Sequence, residues 1–288
     1  MPRPALVGPR LVGPNLVGIV NITADSFSDG GCFLDPAAAI AQGRLLAACG
    51  ADIVELGAAA SNVAASPVAP AEEIRRLEPV IAALALSGTP LAVDTSEPET
   101  QRFALACGVD YLNDIRGFPD PGVYPDLAAG RCRLVVMHAV ESAGRARPDD
   151  LGPDAVWQRI EGFFAERVAR LERAGIARER LILDPGMGLF LSSRVDASLR
   201  VLTSLDRLKA RFGLPVMVSV SRKSFLGAIT GRAAPAERGP ATLAAELYAA
   251  AHGADYIRTH DPCALRDALA VTAALAAEAR PTGLQSLD

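Results

Sequence analysis

Lysine is almost missing from this chain. Of its 29 basic side chains only two are lysine, Lys209 and Lys223, and the rest are arginine. Lysine is a compact point charge whose pKa responds to burial, which arginine's planar fork does not reproduce. Lys223 therefore either serves where arginine could not, or is a chance survivor in an arginine-rich chain. Regular cysteine spacing is also absent. Cys32, Cys49, Cys107, Cys132 and Cys263 are scattered with no CxxC pair. This argues against a structural metal and a disulfide framework, and predicts incidental reduced thiols. No GxGxxG opens the first strand–helix turn and no P-loop signature occurs, against dinucleotide and P-loop folds. No apolar run reaches membrane-spanning length. Residues 1–15 are broken by proline and glycine every few positions, and three Leu-Val-Gly repeats fall within the first 18. They read as a lead-in turn or hairpin rather than a signal peptide, with residues 282–288 as a tail. Net charge is −4 with no basic tract, which speaks against a nucleic-acid partner. A cytoplasmic protein acting on small molecules is expected.

What is present is rhythm. Half of the 288 residues are hydrophobic, enough for one large α/β domain over 1–288. Eight short apolar runs each end in a polar residue. Leu16–Val20 ends at Asn21, Ile53–Val54 at Glu55, Leu91–Val93 at Asp94, and Tyr111–Leu112 at Asn113. Leu134–Met137 ends at His138, Leu181–Leu183 at Asp184, Val216–Val220 at Ser221-Arg222-Lys223, and Tyr256–Ile257 at Arg258 and His260. Helical segments lie between them, over 37–49, 71–84, 97–107 with Ser96 as N-cap, 154–174, 198–212, 242–252 and 264–279, several closing at glycine. Strand, helix, glycine, strand repeated eight times predicts a single-domain (β/α)8 TIM barrel, whose strand C-termini open on one face where chemistry is carried out.

Three of those polar ends suit a flat heterocycle bearing N–H donors. Asp94 and Asp184 accept hydrogen bonds, while Asn113 donates and accepts. Lys223 is the natural counter-charge, since a buried carboxylate is costly without a donor. Read singly, each would pass for a helix N-cap at a strand–helix junction. Ser221-Arg-Lys-Ser224 precedes a possible helix start, and Arg258-Thr-His260 follows at the next strand end. Together they make a basic corner suited to an anion. The first loop, residues 21–31, is long, polar and ends in two glycines, so it could fold over a site. Asn21 could ligate a hard cation through its carbonyl oxygen. His138 could line the pocket. His252 and the single tryptophan, Trp157, read as structural.

In this order Asn21-Ile-Thr-Ala-Asp-Ser-Phe27-Ser-Asp-Gly-Gly, Val93-Asp94-Thr95, Leu112-Asn113-Asp114, Val136-Met137-His138, Leu183-Asp184-Pro-Gly186, Ser221-Arg-Lys-Ser224 and Arg258-Thr-His260 resemble the dihydropteroate synthase family. They resemble most its Sul-type, sulfonamide-resistant group. The resemblance implies condensation of a dihydropterin hydroxymethyl pyrophosphate with p-aminobenzoate, releasing pyrophosphate, by a homodimer that uses Mg2+. It implies Asp94, Asn113, Met137, Asp184 and Lys223 on the pterin, with Asp94, Asp184 and Lys223 catalytic. Asn21, Arg258 and His260 would hold pyrophosphate, Asn21 also the metal, and Phe27, Ser61 and Ser224 would face p-aminobenzoate. Two stretches depart from the common pattern. The family's second loop, Gly-Glu-Ser-Thr-Arg-Pro-Gly, is here Gly57-Ala-Ala-Ala-Ser61-Asn62-Val63, so the usual arginine is gone. After Asp184-Pro-Gly the chain reads Met187-Gly-Leu-Phe190-Leu191. Reshaped loops could reject the longer sulfonyl end of a sulfonamide while admitting p-aminobenzoate. A corrinoid-linked methyltransferase, a silent pterin-binding paralogue and a Schiff-base aldolase on Lys223 remain open as alternatives at this point.

Overall fold

The computed structural model describes residues 13–23, 33–60, 67–139 and 150–278. Phe27, Ser61, the altered positions Asn62 and Val63, most of the N-terminal lead-in and the tail lie outside the described residues. Eight parallel strands form one sheet: β1 (Asn15–Asn21), β2 (Ile53–Gly57), β3 (Leu91–Asp94), β4 (Tyr111–Asp114), β5 (Arg133–Met137), β6 (Leu181–Asp184), β7 (Met217–Val218) and β8 (Tyr256–Thr259). They run in the order β6-β5-β4-β3-β2-β1-β8-β7. Leu183 bridges to Val216, and its N–H donates to Pro215 O at 2.9 Å, which brings the two outer strands together. The result is the expected eight-stranded barrel, nearly closed.

Its helices are α1 (Pro36–Ala48), α2 (Pro70–Leu84), α3 (Pro98–Ala106), α4 (Tyr124–Ala129), α5 (Pro153–Arg173), α6 (Val195–Leu202), α7 (Leu205–Phe212), α8 (Ser224–Thr230), α9 (Gly239–Ala251) and α10 (Pro262–Glu278). Proline, whose fixed φ and missing N–H suit a first helical position, opens α1, α2, α3 and α5. Two local expectations fail. Ser96 does not cap α3; Glu97 holds that position without a side-chain cap. The segment 198–212 is not one helix but α6 and α7. The Thr203 hydroxyl donates back to Leu199 O at 2.9 Å and Arg200 O at 3.1 Å, while Ser204 leaves helical geometry. Hydroxyls that compete for helical carbonyls in this way favour termini.

The strand period of two sorts the residues into layers. Val17, Ile53, Ala92, Val135, Ile182, Met217 and Tyr256, with Tyr111, pack together as the apolar floor inside the barrel. Their outward neighbours, including Val54, Val93, Leu112, Leu134, Leu181, Val218 and Ile257, join the helices in the larger surrounding core. Trp157 is buried in that core on α5, as expected. Each step of two beyond the floor lands on the barrel mouth.

The cysteine expectation needs correction. Cys49, which ends α1, is disulfide-bonded to Cys263 at the start of α10. The partners lie 214 residues apart in sequence, and they meet because β8 pairs with β1 and carries α10 in beside α1. Sequence spacing holds no trace of that closure. Cys107 and Cys132 are free thiols.

The turn after β6 depends on one glycine. Gly186 has φ +74°, and a Cβ there would lie 2.4 Å from His138 O, a backbone atom that cannot step aside. Gly186→Ala combines left-handed strain with that clash and is expected to cost about 2 kcal/mol or more. Thermal unfolding should report a Tm lower by roughly 4–8 °C; an unchanged Tm would mean that the loop can take another course.

Candidate active site

One step of two above the floor, the interior positions are Glu55 on β2, Asp94 on β3, Asn113 on β4, Met137 on β5, Asp184 on β6 and Arg258 on β8. Ser219 follows β7. Asp94, Asn113, Met137, Asp184, Ser219, Lys223 and Arg258 line a single cavity with Ile115, Gly186, Met187 and Phe190. The pterin set expected from sequence is therefore brought together in full. None of its carboxylates or amides is spent as a helix cap.

Arg258 is the hub. Its Nε donates to Glu55 and its Nη2 to Asp94 Oδ2 at 3.1 Å. Sequence reasoning grouped Arg258 with a phosphate corner, whereas here its guanidinium is bound to carboxylates of the pterin side and lines their cavity. Glu55 is 1% exposed and reaches a second partner, the Asn113 Nδ2, which donates to its Oε2 at 3.1 Å. Asn113 Oδ1 is buried without a protein partner. Glu55 is one of the eight strand ends, and a strand-end position alone assigns it no role. Its parity with Asp94 and Arg258, two residues past an apolar floor position, was the available signal.

Electrostatics follow from this crowding. Burial pushes the Asp184 carboxyl up to about 6, although the Gly186 N–H donates to its Oδ1 at 2.8 Å and Lys223 and Arg258 pull the other way. Burial and the neighbouring Glu55 charge raise Asp94, opposed by Arg258. Burial, helped by Arg258, brings Lys223 down to about 8 against the attraction of Asp184 and Asp94. For Arg258, burial is outweighed by the carboxylates of Glu55, Asp94 and Asp184, and it stays firmly charged. Lys223 lies with its Nζ 4.6 Å from the Phe190 ring centroid, a cation–π contact at the cavity wall. Phe190 and Met137 share a small apolar cluster. Nothing in the alternation of the strands could have located Phe190, which sits on a short helical turn after β6.

The remaining residues take different positions. His260 binds Ser221 Oγ through Nδ1 at 2.8 Å. Burial first, then Arg222, Arg258 and Lys223, lowers its pKa to about 3, so it is neutral and offers hydrogen bonds rather than charge. Arg222 adopts φ +58°, and its N–H donates to Thr242 Oγ1 at 3.0 Å. That left-handed residue turns the chain from Ser221 to Lys223. Ser224 is exposed at the first position of α8. A Cβ on Gly188 would lie 3.8 Å from Ser224 Oγ and 3.6 Å from Lys223 Cδ, so the loop after β6 lies against both. Asn21 ends β1 opposite Gly57; a Cβ on Gly57 would lie 3.9 Å from both Asn21 Oδ1 and Asp94 Cβ. His138 does not line the cavity. Met137 takes the inward position, so the next side chain turns outward. His138 is buried against Phe163, with Nδ1 3.2 Å from Pro185 O, and burial lowers its pKa to about 4. His252 stacks on Tyr248 at the end of α9, a structural role as expected.

A barrel mouth with these carboxylates, amide and cations defines a class. Residues 17–260 match the family model described as pterin binding enzyme. The dihydropteroate synthase type-2 of Escherichia coli is 56% identical over 263 residues, covering 91% of this chain and 96% of that protein. The Xanthomonas albilineans dihydropteroate synthase solved with 4-aminobenzoic acid superimposes with a TM-score of 0.82 at 39% identity, covering 92% of this chain and 93% of that one. The same enzyme in complex with 7,8-dihydropteroate gives 0.78 at 35% identity, covering 93% and 95%. The chain belongs to the dihydropteroate synthases of the pterin binding enzyme family.

Arg258→Met keeps much of the side-chain volume but leaves Glu55 and Asp94 without their cation, and should lower stability by about 3 kcal/mol at pH 8. Asp94 already titrates above its unfolded value, and without Arg258 it rises further. A carboxyl raised on folding favours the folded state at low pH and loses that advantage as pH rises through its folded pKa. The deficit should therefore shrink at pH 5. Denaturant titrations at both values check this; an equal deficit would remove Asp94 from the pair.

Proposed function

We propose that the chain condenses 6-hydroxymethyl-7,8-dihydropterin pyrophosphate with p-aminobenzoate to 7,8-dihydropteroate and pyrophosphate. The observation that carries this reading is the single cavity in which Asp94, Asn113, Asp184, Lys223 and Arg258 converge. Asp184 and the free Asn113 Oδ1 accept from the N–H edge of the pterin, and Lys223 donates. The C–O bond between the pterin methylene and pyrophosphate breaks, its electron pair leaving with the phosphate oxygen. Cationic character develops on the methylene and is stabilised by the nearby carboxylates. The neutral aniline nitrogen supplies the pair for the new C–N bond and releases a proton. Arg258, neutral His260 and Asn21 meet the departing pyrophosphate. Ser224 borders the entrance for the aryl acid, a role shared in this reading with Phe27 and Ser61. No side-chain nucleophile is required.

Mg2+ fits this reading as a metal carried mainly by phosphate and water oxygens. Among the described residues no group of three His, Cys, Asp or Glu could hold a metal ion. Asn21 supplies one oxygen of the hard type that Mg2+ accepts. When bound, the ion neutralises charge on the leaving group. A homodimer in the cytoplasm completes the proposal; among the described residues no helix is long and apolar enough to cross a membrane.

Reduced sulfonamide sensitivity is part of the same proposal. Phe190 packs over Lys223, and Gly188 of the same turn lies against Ser224, so in this reading the turn forms the wall next to the aryl-acid carboxylate. A sulfonyl group projects farther than a carboxylate and meets that wall first.

The test is release of pyrophosphate from the dihydropterin substrate, with and without p-aminobenzoate, Mg2+ and sulfamethoxazole. Turnover should require p-aminobenzoate and persist at sulfamethoxazole concentrations that inhibit a sensitive synthase. Turnover independent of p-aminobenzoate would sink the synthase reading, and an inhibition constant equal to that of the sensitive enzyme would sink resistance alone. The pH profile is a separate check. Asp94 and Asp184 must be ionised and Lys223 protonated, so kcat/KM should rise through about pH 6 to about pH 7 and fall through about pH 8. Lys223→Arg should remove the alkaline limb while lowering the rate; an alkaline limb that stays at pH 8 assigns it to another group.

A further inference from the structure

We infer that Glu55 is a positioning residue for pterin recognition: one carboxylate holds the Arg258 guanidinium with one oxygen and fixes the Asn113 amide with the other. The inference rests on the synthase reading and goes beyond it, because Glu55 itself does not line the cavity. Its Oε1 receives Arg258 Nε, and its Oε2 receives Asn113 Nδ2 at 3.1 Å. The side chain is 1% exposed, so water does not compete for either oxygen.

The chemistry of a carboxamide makes this more than a packing contact. An asparagine side chain has a donor end and an acceptor end of nearly equal shape, and a free amide can present either. An ionised carboxylate accepts only. Glu55 therefore forces the Asn113 nitrogen toward itself and turns Oδ1 away, where it has no protein partner. A buried acceptor without a donor destabilises the empty site. A bound heterocycle with an N–H at that point relieves this, and one with an acceptor there does not. The same carboxylate holds Arg258, whose other arm reaches Asp94 at 3.1 Å. One buried residue on β2 thus sets the donor–acceptor sense of Asn113 on β4 and holds Arg258 on β8, through which it bears on Asp94 on β3.

Replacing Glu55 with glutamine preserves shape and removes both constraints. The new amide can donate or accept, so Asn113 is free to flip, and Arg258 loses a counter-charge. Glu55→Gln should raise KM for the dihydropterin pyrophosphate at least 10-fold and leave KM for p-aminobenzoate within twofold. Loss from Asn113→Ala should be strongly non-additive with Glu55→Gln, since the amide is already misdirected. A purely structural role predicts additive losses and no split between the two substrates. Glu55→Asp retains the charge but withdraws it by one methylene. It should fall between wild type and Gln, and it replaces the Gln variant if that one fails to fold. An unchanged pterin KM, an equal loss on both substrates, or additivity with Asn113→Ala overturns the inference. Wild-type protein that neither binds nor turns over the dihydropterin pyrophosphate overturns the synthase reading instead, so the two failures are distinguishable.

Discussion

The guanidinium of Arg258, held between Glu55 and Asp94, is the interaction on which the barrel mouth depends. Three carboxylates crowd the barrel mouth: Asp94 and Asp184 line the cavity and Glu55 lies buried behind it. Two cations, Arg258 and Lys223, balance them. Burying such groups is costly for each alone and tolerable only as a connected set with its hydrogen bonds made. The raised Asp94 and Asp184 and the lowered Lys223 all record that cost. A mouth built this way is polarised before a ligand arrives. It needs little rearrangement to meet a substrate that is a neutral heterocycle at one end and a polyanion at the other.

The barrel and most of the site were legible because two regularities reinforce each other. Parallel strands buried on both faces read as apolar runs, and a step of two from an interior floor position lands on the mouth. Ile182 leads to Asp184, Tyr111 to Asn113, Ala92 to Asp94 and Tyr256 to Arg258. The same rule points Ile53 at Glu55 and turns His138 away once Met137 faces in. What the pattern could not supply is which charges pair. Arg258 stands at a strand end beside His260 in sequence, yet its partners come from β2 and β3, more than 160 residues away. Phe190 stood out only as part of a departing loop, and its contact with Lys223 was hidden for a different reason. It lies on an irregular turn, and only the packing of that turn against Lys223 gives it a place in the cavity. The break between α6 and α7 turned on Thr203, whose hydroxyl bonds the preceding carbonyls, and on Ser204, whose backbone leaves the helix.

Two of the backbone exceptions shape the site. Gly186 lets the chain after β6 pass within contact of the β5 end while its N–H binds Asp184. Arg222 takes the same left-handed region without the glycine's freedom, and its N–H is met by Thr242. Each bend delivers a charged group, Asp184 or Lys223, to the same small volume. Strain kept at such positions is sustained by the hydrogen bonds around them.

The two flanks of the barrel are not equivalent. Along one, β1 and β8 share a parallel ladder and the neighbouring helix ends are tied by the Cys49–Cys263 bond. Along the other, β6 meets a two-residue β7 through a lone bridge. A cylinder stapled down one seam and merely lapped along another, two strands away, has a direction of least resistance, because opening costs least where few hydrogen bonds must break. The lap runs up to Asp184, Gly186 and Ser219, all of which line the cavity. The seam with fewest hydrogen bonds is thereby a wall of the pocket itself, and the covalent tie lies only two strands away from it.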